Sequence, residues 1–282
     1  MRTGEPLLLG AHVGTGGGFR NAISSGLSIK ADAIQIFTRN QMQWKARPIL
    51  EDDAASFRTA YAESKLKGIV AHGSYLTNLA SPVNSSRRIS IEAVVDEMKR
   101  CEQLGIKTYI FHPGSHVNSG EEKGEKREVE SIREVMRLTE GSVVKMALET
   151  MAGQGNVICH RFEAVSGILD AVDSNRLGAC IDTCHIFAAG YDIRDVKHLN
   201  ATMKNVRETI GIKRVMSVHL NDSRADIGKR LDRHENIGKG KIGIGGFRAL
   251  MHSGGLSRIP MILETPGGEN MYRKEIEMLR KL

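Results

Sequence analysis

The chain of 282 residues is poor in aromatic side chains, which make up 5% of it, and has one tryptophan, four cysteines and six prolines. No apolar run approaches the roughly 20 residues that span a bilayer, so no membrane partner is expected. The N-terminal stretch MRTGEPLLLGAHV has only a short apolar segment and no cleavage pattern, so no signal peptide is read. An intracellular protein with reduced thiols follows from that reading. Cys101, Cys159, Cys180 and Cys184 form no CxxC pair. Cys184, between Asp182 and His185, is read as a buried small hydrophobe rather than a ligand. Linkers, low-complexity tracts and short repeats are also missing, and the length suits one barrel-sized domain, residues 1–282.

What the chain has is alternation. Short aliphatic and β-branched runs lie at 7–13, 33–38, 68–73, 108–114, 145–151, 177–184, 214–221 and 260–266. Amphipathic stretches lie between them, near 19–29, 51–66, 87–104, 125–139, 161–172, 195–209, 246–252 and 270–281. In the third of these Ile91, Val94, Val95, Met98, Cys101 and Leu104 share one helical face, and Gly105 is a natural stop. The polar stretch 121–130 reads as a solvated helix start. Runs that are apolar almost throughout suit a parallel sheet buried on both faces. Eight strand–helix units therefore predict an α/β fold, a single (β/α)8 barrel with its active site at the C-terminal face. The competing doubly wound sheet expects a glycine-rich phosphate loop after the first strand. VGTGGGF (13–19) lacks the GxGxxG spacing, and no acidic residue ends the second run.

The formal net charge is +7. The surplus is concentrated between Lys213 and Arg258, where ten lysines and arginines accompany four acidic residues. A basic zone beside an active face suits a polyanion, although it also suits a merely soluble surface.

Nine candidate ligands stand at the ends of these runs or in the loops after them: His72, His112, Glu149, Asp182, His185, His219, Asp232, His234 and Glu264. A single histidine at a strand end is ordinarily a hydrogen-bonded core or surface residue. Four carboxylates converging on one barrel mouth repel each other and require cations, and five imidazoles favour metal over lysine. With one carboxylate bridging, nine ligands make ten bonds, about three for each of three ions. An all-nitrogen-and-oxygen set with open positions fits zinc or manganese in catalysis. Three divalent ions against four carboxylates leave positive charge, which suits a phosphodiester whose negative charge grows in the transition state.

The blocks GAHV (10–13), FTRNQMQW (37–44), FHPGSH (111–116), ALETMAGQG (147–155), CIDTCHIFAAGYD (180–192), HLNDS (219–223), DRHENIGKGKIG (232–243) and ILETP (262–266) closely resemble the endonuclease IV family of apurinic/apyrimidinic (AP) endonucleases. The similarity runs essentially end to end. It implies a barrel with three zinc ions, manganese replacing zinc in part. By that resemblance His72 and His112 bind the first ion, and Glu149 bridges the first and second. Asp182, His219 and Glu264 complete the second. His185, from the neighbouring strand, binds the third with Asp232 and His234 of an extended loop. The implied reaction is DNA repair by hydrolysis of the phosphodiester 5′ to an abasic site in duplex DNA, leaving a 3′-hydroxyl and a 5′-deoxyribose phosphate. Blocked 3′ ends are trimmed too. A water held between the first two ions and oriented by Glu149, the catalytic residue, attacks in line, and the third ion stabilises the departing oxygen.

The resemblance also implies DNA contacts. Tyr75 and Leu76 match positions that fill the gap left by an extruded nucleotide, although they also read as simple loop packing. Asn40 and Met42 lie in a recognition loop, where Met42 stands in place of an arginine found in some members. Arg39 and Lys45 flank it as sources of charge, and Trp44 reads as packing. Arg233, with His116, Lys229 and Arg230, lies in loops on the active face, where a phosphate contact and a solvated surface are equally good readings. His12 faces the same mouth in a supporting role. A metal-dependent sugar isomerase or epimerase is the alternative, but it needs only one or two ions and has no use for Asp232 and His234. A DNA-damage binding protein without catalysis does not need open metal positions. All ligands lie in one chain, so a monomer suffices.

Overall fold

The structure, a computed structural model, describes residues 7–282; residues 1–6, which begin the stretch read for a signal peptide, lie outside the described residues. In chain order the first half comprises β1 (Leu8–His12), α1 (Phe19–Ser28), β2 (Ala33–Phe37), α2 (Glu51–Glu63), β3 (Gly68–His72), α3 (Asn84–Leu104), β4 (Thr108–Phe111) and α4 (Glu121–Leu138). Next come β5 (Lys145–Glu149), α5 (Phe162–Val172), β6 (Leu177–Asp182), α6 (Thr183–Ala189), α7 (Val196–Glu208) and β7 (Val215–His219). The chain ends with the short strands β8 (Asp222–Ser223) and β9 (His234–Glu235), then α8 (Gly243–His252), β10 (Pro260–Leu263) and α9 (Gly268–Leu279). Eight strands close into a barrel in the order β1-β10-β7-β6-β5-β4-β3-β2, and every pairing is parallel. Closure excludes the doubly wound sheet. No described helix is long and apolar enough to cross a membrane.

Each strand buries one face inside the barrel and the other under the helices. Leu8, Ala33, Val70, Ile110, Ala147, Cys180 and Ile262, with Met216 packed against them, form an inner plug with one residue from each barrel strand. A much larger outer core lies between strands and helices. Gly10 permits the close approach of β1 to β2, because a Cβ there would collide with the Ala33 carbonyl oxygen. The helix α3 buries Val94, Val95, Met98, Cys101 and Leu104 and stops at Gly105, whose φ of 72° is the left-handed conformation glycine adopts freely. The stretch 121–130 does open a helix, and α4 begins at Glu121.

Two local structures differ from the sequence expectation. The segment after β6 does not remain extended through Cys184. It turns into α6, whose first turn is capped by Asp182, the carboxylate accepting from the His185 N–H at 2.9 Å. The loop after β7 folds into the antiparallel β8–β9 pair, which joins Asp222 to Glu235 and Ser223 to His234. Runs as short as two or seven residues carry too little periodicity to read.

Candidate metal centre

Side chains alternate along a strand, so the residue two places beyond each plug residue points up the same inner face. Val70 is followed in this way by His72, Ala147 by Glu149 and Cys180 by Asp182, while Ala33 is followed by Gln35. Ile110 and Ile262 lead to His112 and Glu264, each one residue past its strand end. His219 lies opposite Asp182 in register. Barrel closure thus gathers these groups at the C-terminal mouth.

The nine sequence candidates are covered by three clusters, within each of which the ligand atoms lie within 4.8 Å of one another; a fourth such group, Asp182, Cys184 and His234, cuts across two of them. The first is His72, His112 and Glu149; the second is Glu149, Asp182, His219 and Glu264; the third is His185, Asp232 and His234. Glu149 belongs to two of them. Its Oε2 lies 3.1 Å from His72 Nε2 and 3.3 Å from His112 Nε2. Its Oε1 lies 3.0 Å from His219 Nδ1 and 3.3 Å from His185 Nδ1. His219 Nδ1 also faces Glu264 Oε2 at 3.4 Å and Asp182 Oδ2 at 3.8 Å. In the third cluster Asp232 reaches His185 Nε2 at 3.1 Å and His234 Nε2 at 3.2 Å. Tetrahedral ligands about 2.1 Å from an ion stand about 3.4 Å apart, so these spacings fit a shared cation.

Hydrogen bonding supports the same conclusion. His72 donates its Nδ1–H to the Gly73 carbonyl at 2.8 Å, and His185 donates its Nδ1–H to the Thr150 carbonyl at 2.9 Å. Each ring in its neutral form then turns the bare lone pair of Nε2 toward a carboxylate oxygen. Two acceptors at that distance repel unless a cation stands between them. His185 Nε2 and His234 Nε2 are buried without a hydrogen-bond partner, despite the nearby Asp232 oxygens. Donor type, spacing and orphaned nitrogens all fit divalent ions.

Titration follows from this crowding. Burial pushes the Glu149 carboxyl up, but the imidazoles of His219 and His112 outweigh it and hold the group well below the usual carboxylate range. Glu264 and Asp232 are also depressed against burial, Glu264 chiefly by His219 and Asp232 by the adjoining imidazoles of His185 and His234. Burial disfavours charge on His234, yet the adjoining Asp232 carboxylate and the Asp182 charge raise it to about 9. His185 and His219 are also raised well above the ordinary imidazole value against burial, His185 chiefly by Asp182 and Asp232, and His219 chiefly by the adjoining Cys180 and then by Glu264 and Glu149. These shifts favour protons on the rings, and a divalent ion entering the clusters would have to displace them.

The sequence reading missed the residues that hold the ligands. Gln35 is wholly buried and touches His12, His219 and Glu264. Asn221 donates to Asp182 Oδ2 at 2.7 Å and accepts from the Glu264 N–H at 2.9 Å. Asp222 accepts from the backbone N–H groups of Ser223, Gly238, Gly240, Ile242 and Gly243, which pins the loop behind Asp232 and His234. A Cβ at Gly240 would collide with Asp222 Oδ1. Neutral amides at strand ends and an aspartate in a turn carry no distinctive sequence signal. His12 lies near the second cluster, its Nδ1 3.8 Å from Glu264 Oε1.

The expected DNA contacts divide. Tyr75 is half exposed, with its ring centroid 5.6 Å from those of His72 and His112, so it stands over the first cluster. Leu76 beside it is half-buried. Met42 is 65% exposed, in a turn where Asn40 Oδ1 accepts from the Met42 N–H. Arg233 is exposed beside the third cluster, and Lys229, Arg230 and Lys45 are also exposed. Arg39 corrects the expectation. Its side chain is buried, ion-paired with Asp96 and Glu97, and donates to the Gln43 carbonyl, so it braces the loop after β2. Trp44 is a second correction: it is 44% exposed rather than packed away. Cys184 is buried beside Asp182 and His234, and burial raises its thiol to about 12, which keeps it protonated.

A closed parallel barrel carrying such clusters at its C-terminal mouth belongs to the class of xylose isomerase-like TIM barrels, whose family model matches residues 25–282. Within that class the chain is 42% identical over 276 residues to a probable endonuclease 4 from Chloroflexus aurantiacus, covering 97% of each protein. It is 44% identical over 284 residues to an apurinic-apyrimidinic endonuclease of Caenorhabditis elegans, covering 98% of this chain and 70% of that protein. Endonuclease IV from Thermus thermophilus superposes with a TM-score of 0.86 at 28% identity, over 98% of each chain. The chain belongs to the endonuclease IV family.

Proposed function

We propose that this chain is a DNA-repair AP endonuclease that hydrolyses the phosphodiester 5′ to an abasic site in duplex DNA, leaving a 3′-hydroxyl and a 5′-deoxyribose phosphate, and that it trims blocked 3′ ends. The observation that carries this reading is the third cluster. His185, Asp232 and His234 add a further cation position to the pair that Glu149 joins. A sugar isomerase has no use for it, whereas hydrolysis of a phosphodiester needs charge neutralised at both the attacking and the leaving oxygen.

Three zinc ions per chain, with manganese as a partial substitute, are the proposed cofactors. His72, His112 and Glu149 would hold the first; Glu149, Asp182, His219 and Glu264 the second; and His185, Asp232 and His234 the third. Bound divalent ions supply Lewis acidity, activating water at neutral pH and neutralising charge that grows on the phosphoryl oxygens. Glu149 is ionised and spans two clusters, so it is placed to take a proton from the attacking water. Tyr75, above the first cluster, and Leu76 fill the space left by an extruded abasic nucleotide. A site that lacks its base costs least to extrude, which is a physical source of selectivity. Asn40 and Met42 approach the duplex from the second loop, and Arg233 neutralises phosphate beside the third cluster.

The test is a duplex with a single abasic site. Purified protein should cleave it 5′ to the lesion, leaving an end that a polymerase extends. Elemental analysis should find about three divalent ions per chain. Cleavage that persists after exhaustive chelation, or one ion per chain with no nicking, would overturn the reading.

A further inference from the structure

We infer that Gln35 is the positioning residue that selects which nitrogen of His219 binds the second ion, and that it does so because Glu264 fixes the orientation of its amide. The inference rests on the second cluster being a metal site, as proposed above.

Gln35 lies on β2, wholly buried, in register with His12 of β1. Its amide makes three contacts at the edge of the second cluster. The Nε2 lies 2.6 Å from Glu264 Oε1 and 2.9 Å from His12 Nδ1, and the Oε1 lies 2.8 Å from His219 Nε2. An amide can be reversed, exchanging oxygen for nitrogen, but here the reversal fails. It would set an amide oxygen against an ionised carboxylate oxygen at 2.6 Å, two acceptors with no proton between them. Glu264 therefore holds the nitrogen toward itself. The amide oxygen must then face His219, where it can only accept, so His219 Nε2 carries the proton.

The consequence is chemical. With Nε2–H committed to Gln35, the remaining lone pair of His219 is on Nδ1. That nitrogen faces Glu149, Glu264 and Asp182 at 3.0, 3.4 and 3.8 Å. His72 and His185 are set the other way, because their Nδ1–H groups bond backbone carbonyls and leave Nε2 bare. Their tautomers depend on the main chain. That of His219 depends on one replaceable side chain, which also orients the neighbouring ligand Glu264. Both N–H groups and the oxygen of the amide are used, and only asparagine, one methylene shorter, carries the same set. Glutamate keeps the acceptor for His219 but loses the donor to Glu264 and adds repulsion. Leucine loses both.

The experiment compares wild type, Gln35→Glu and Gln35→Leu in their full-length forms. Each is stripped of metal and titrated with Zn2+ by calorimetry, and stoichiometry is checked by elemental analysis after dialysis. Co2+ is then loaded, and its visible absorption reports ligand geometry independently of turnover. In both variants one ion of three should bind roughly 10–100-fold more weakly, the usual effect of removing a group that orients a ligand. The other two should keep wild-type affinity, and the Co2+ spectrum should change in the weakened site alone. Loss of one ion separates positioning from general damage to the fold, which would weaken all three. If Gln35→Leu fails to fold, Gln35→Glu, nearly identical in size, decides. Three ions of wild-type affinity in the variants overturn the role of Gln35 and leave the metal reading intact. A wild type that never binds at the second cluster overturns both.

Discussion

Glu149 is surrounded by four imidazoles, those of His72, His112, His185 and His219. Its value lies in its charge and in its two oxygens, each serving a different cluster. Glu149→Gln keeps the size and removes the charge. Turnover on an abasic duplex should fall by roughly 10²–10⁴-fold, the range for a positioned acid–base group, while duplex binding persists in a gel-shift assay. Near-normal turnover would count against the assignment. Glu149 was legible in the chain because it ends an apolar run with the right parity. Gln35 was not, because an amide in such a run resembles any buried polar residue until its neighbours are known. Arg39 misled for the opposite reason: a cation in a recognition loop invites a phosphate, yet Asp96 and Glu97 of α3 had already claimed it.

The barrel strands and most helices could be read from period and parity, since each has several residues on a buried face. The elements that build the third cluster could not. The short helix α6 turns His185 inward, and the β8–β9 pair brings His234 back to the mouth. Both depend on caps and tertiary anchors rather than on length. Asp222 is the main anchor of the loop that follows His234. Asp222→Ala leaves the N–H groups of Ser223, Gly238, Gly240, Ile242 and Gly243 without their acceptor, and a buried unsatisfied donor costs about 1–3 kcal/mol. The variant should melt at lower temperature and retain two ions in place of three by elemental analysis. Three ions at wild-type affinity would show that the loop holds its shape without this carboxylate.

For the whole molecule, the ligand clusters should make stability depend on both pH and metal. His234 is raised from 6.5 to about 9 in the folded protein. Its contribution is therefore complete below about 6.5 and is lost as pH rises through about 9. Glu149, Glu264 and Asp232 are depressed, so their contribution is present above their ordinary values and is lost as pH falls through the depressed ones. Metal-free protein should thus lose melting temperature steadily as pH rises from about 6.5 through about 9. Protein loaded with zinc should not, because ions replace the imidazole protons. Melting curves of chelated and loaded samples across that range measure the difference. A flat profile for the chelated protein would show that these rings are not charged in the fold.

By itself the sequence determined the eight-unit barrel, the nine ligand candidates and the basic character of the segment after β7. Periodicity, strand parity and residue chemistry are local properties of a chain. Tertiary structure alone decided which candidate ligands lie together, which imidazole nitrogen faces which carboxylate, and which cations stay exposed. Those outcomes depend on groups brought together across the closed ring, such as Gln35 with His219 and Arg39 with Glu97, and neither partner announces the other in the chain.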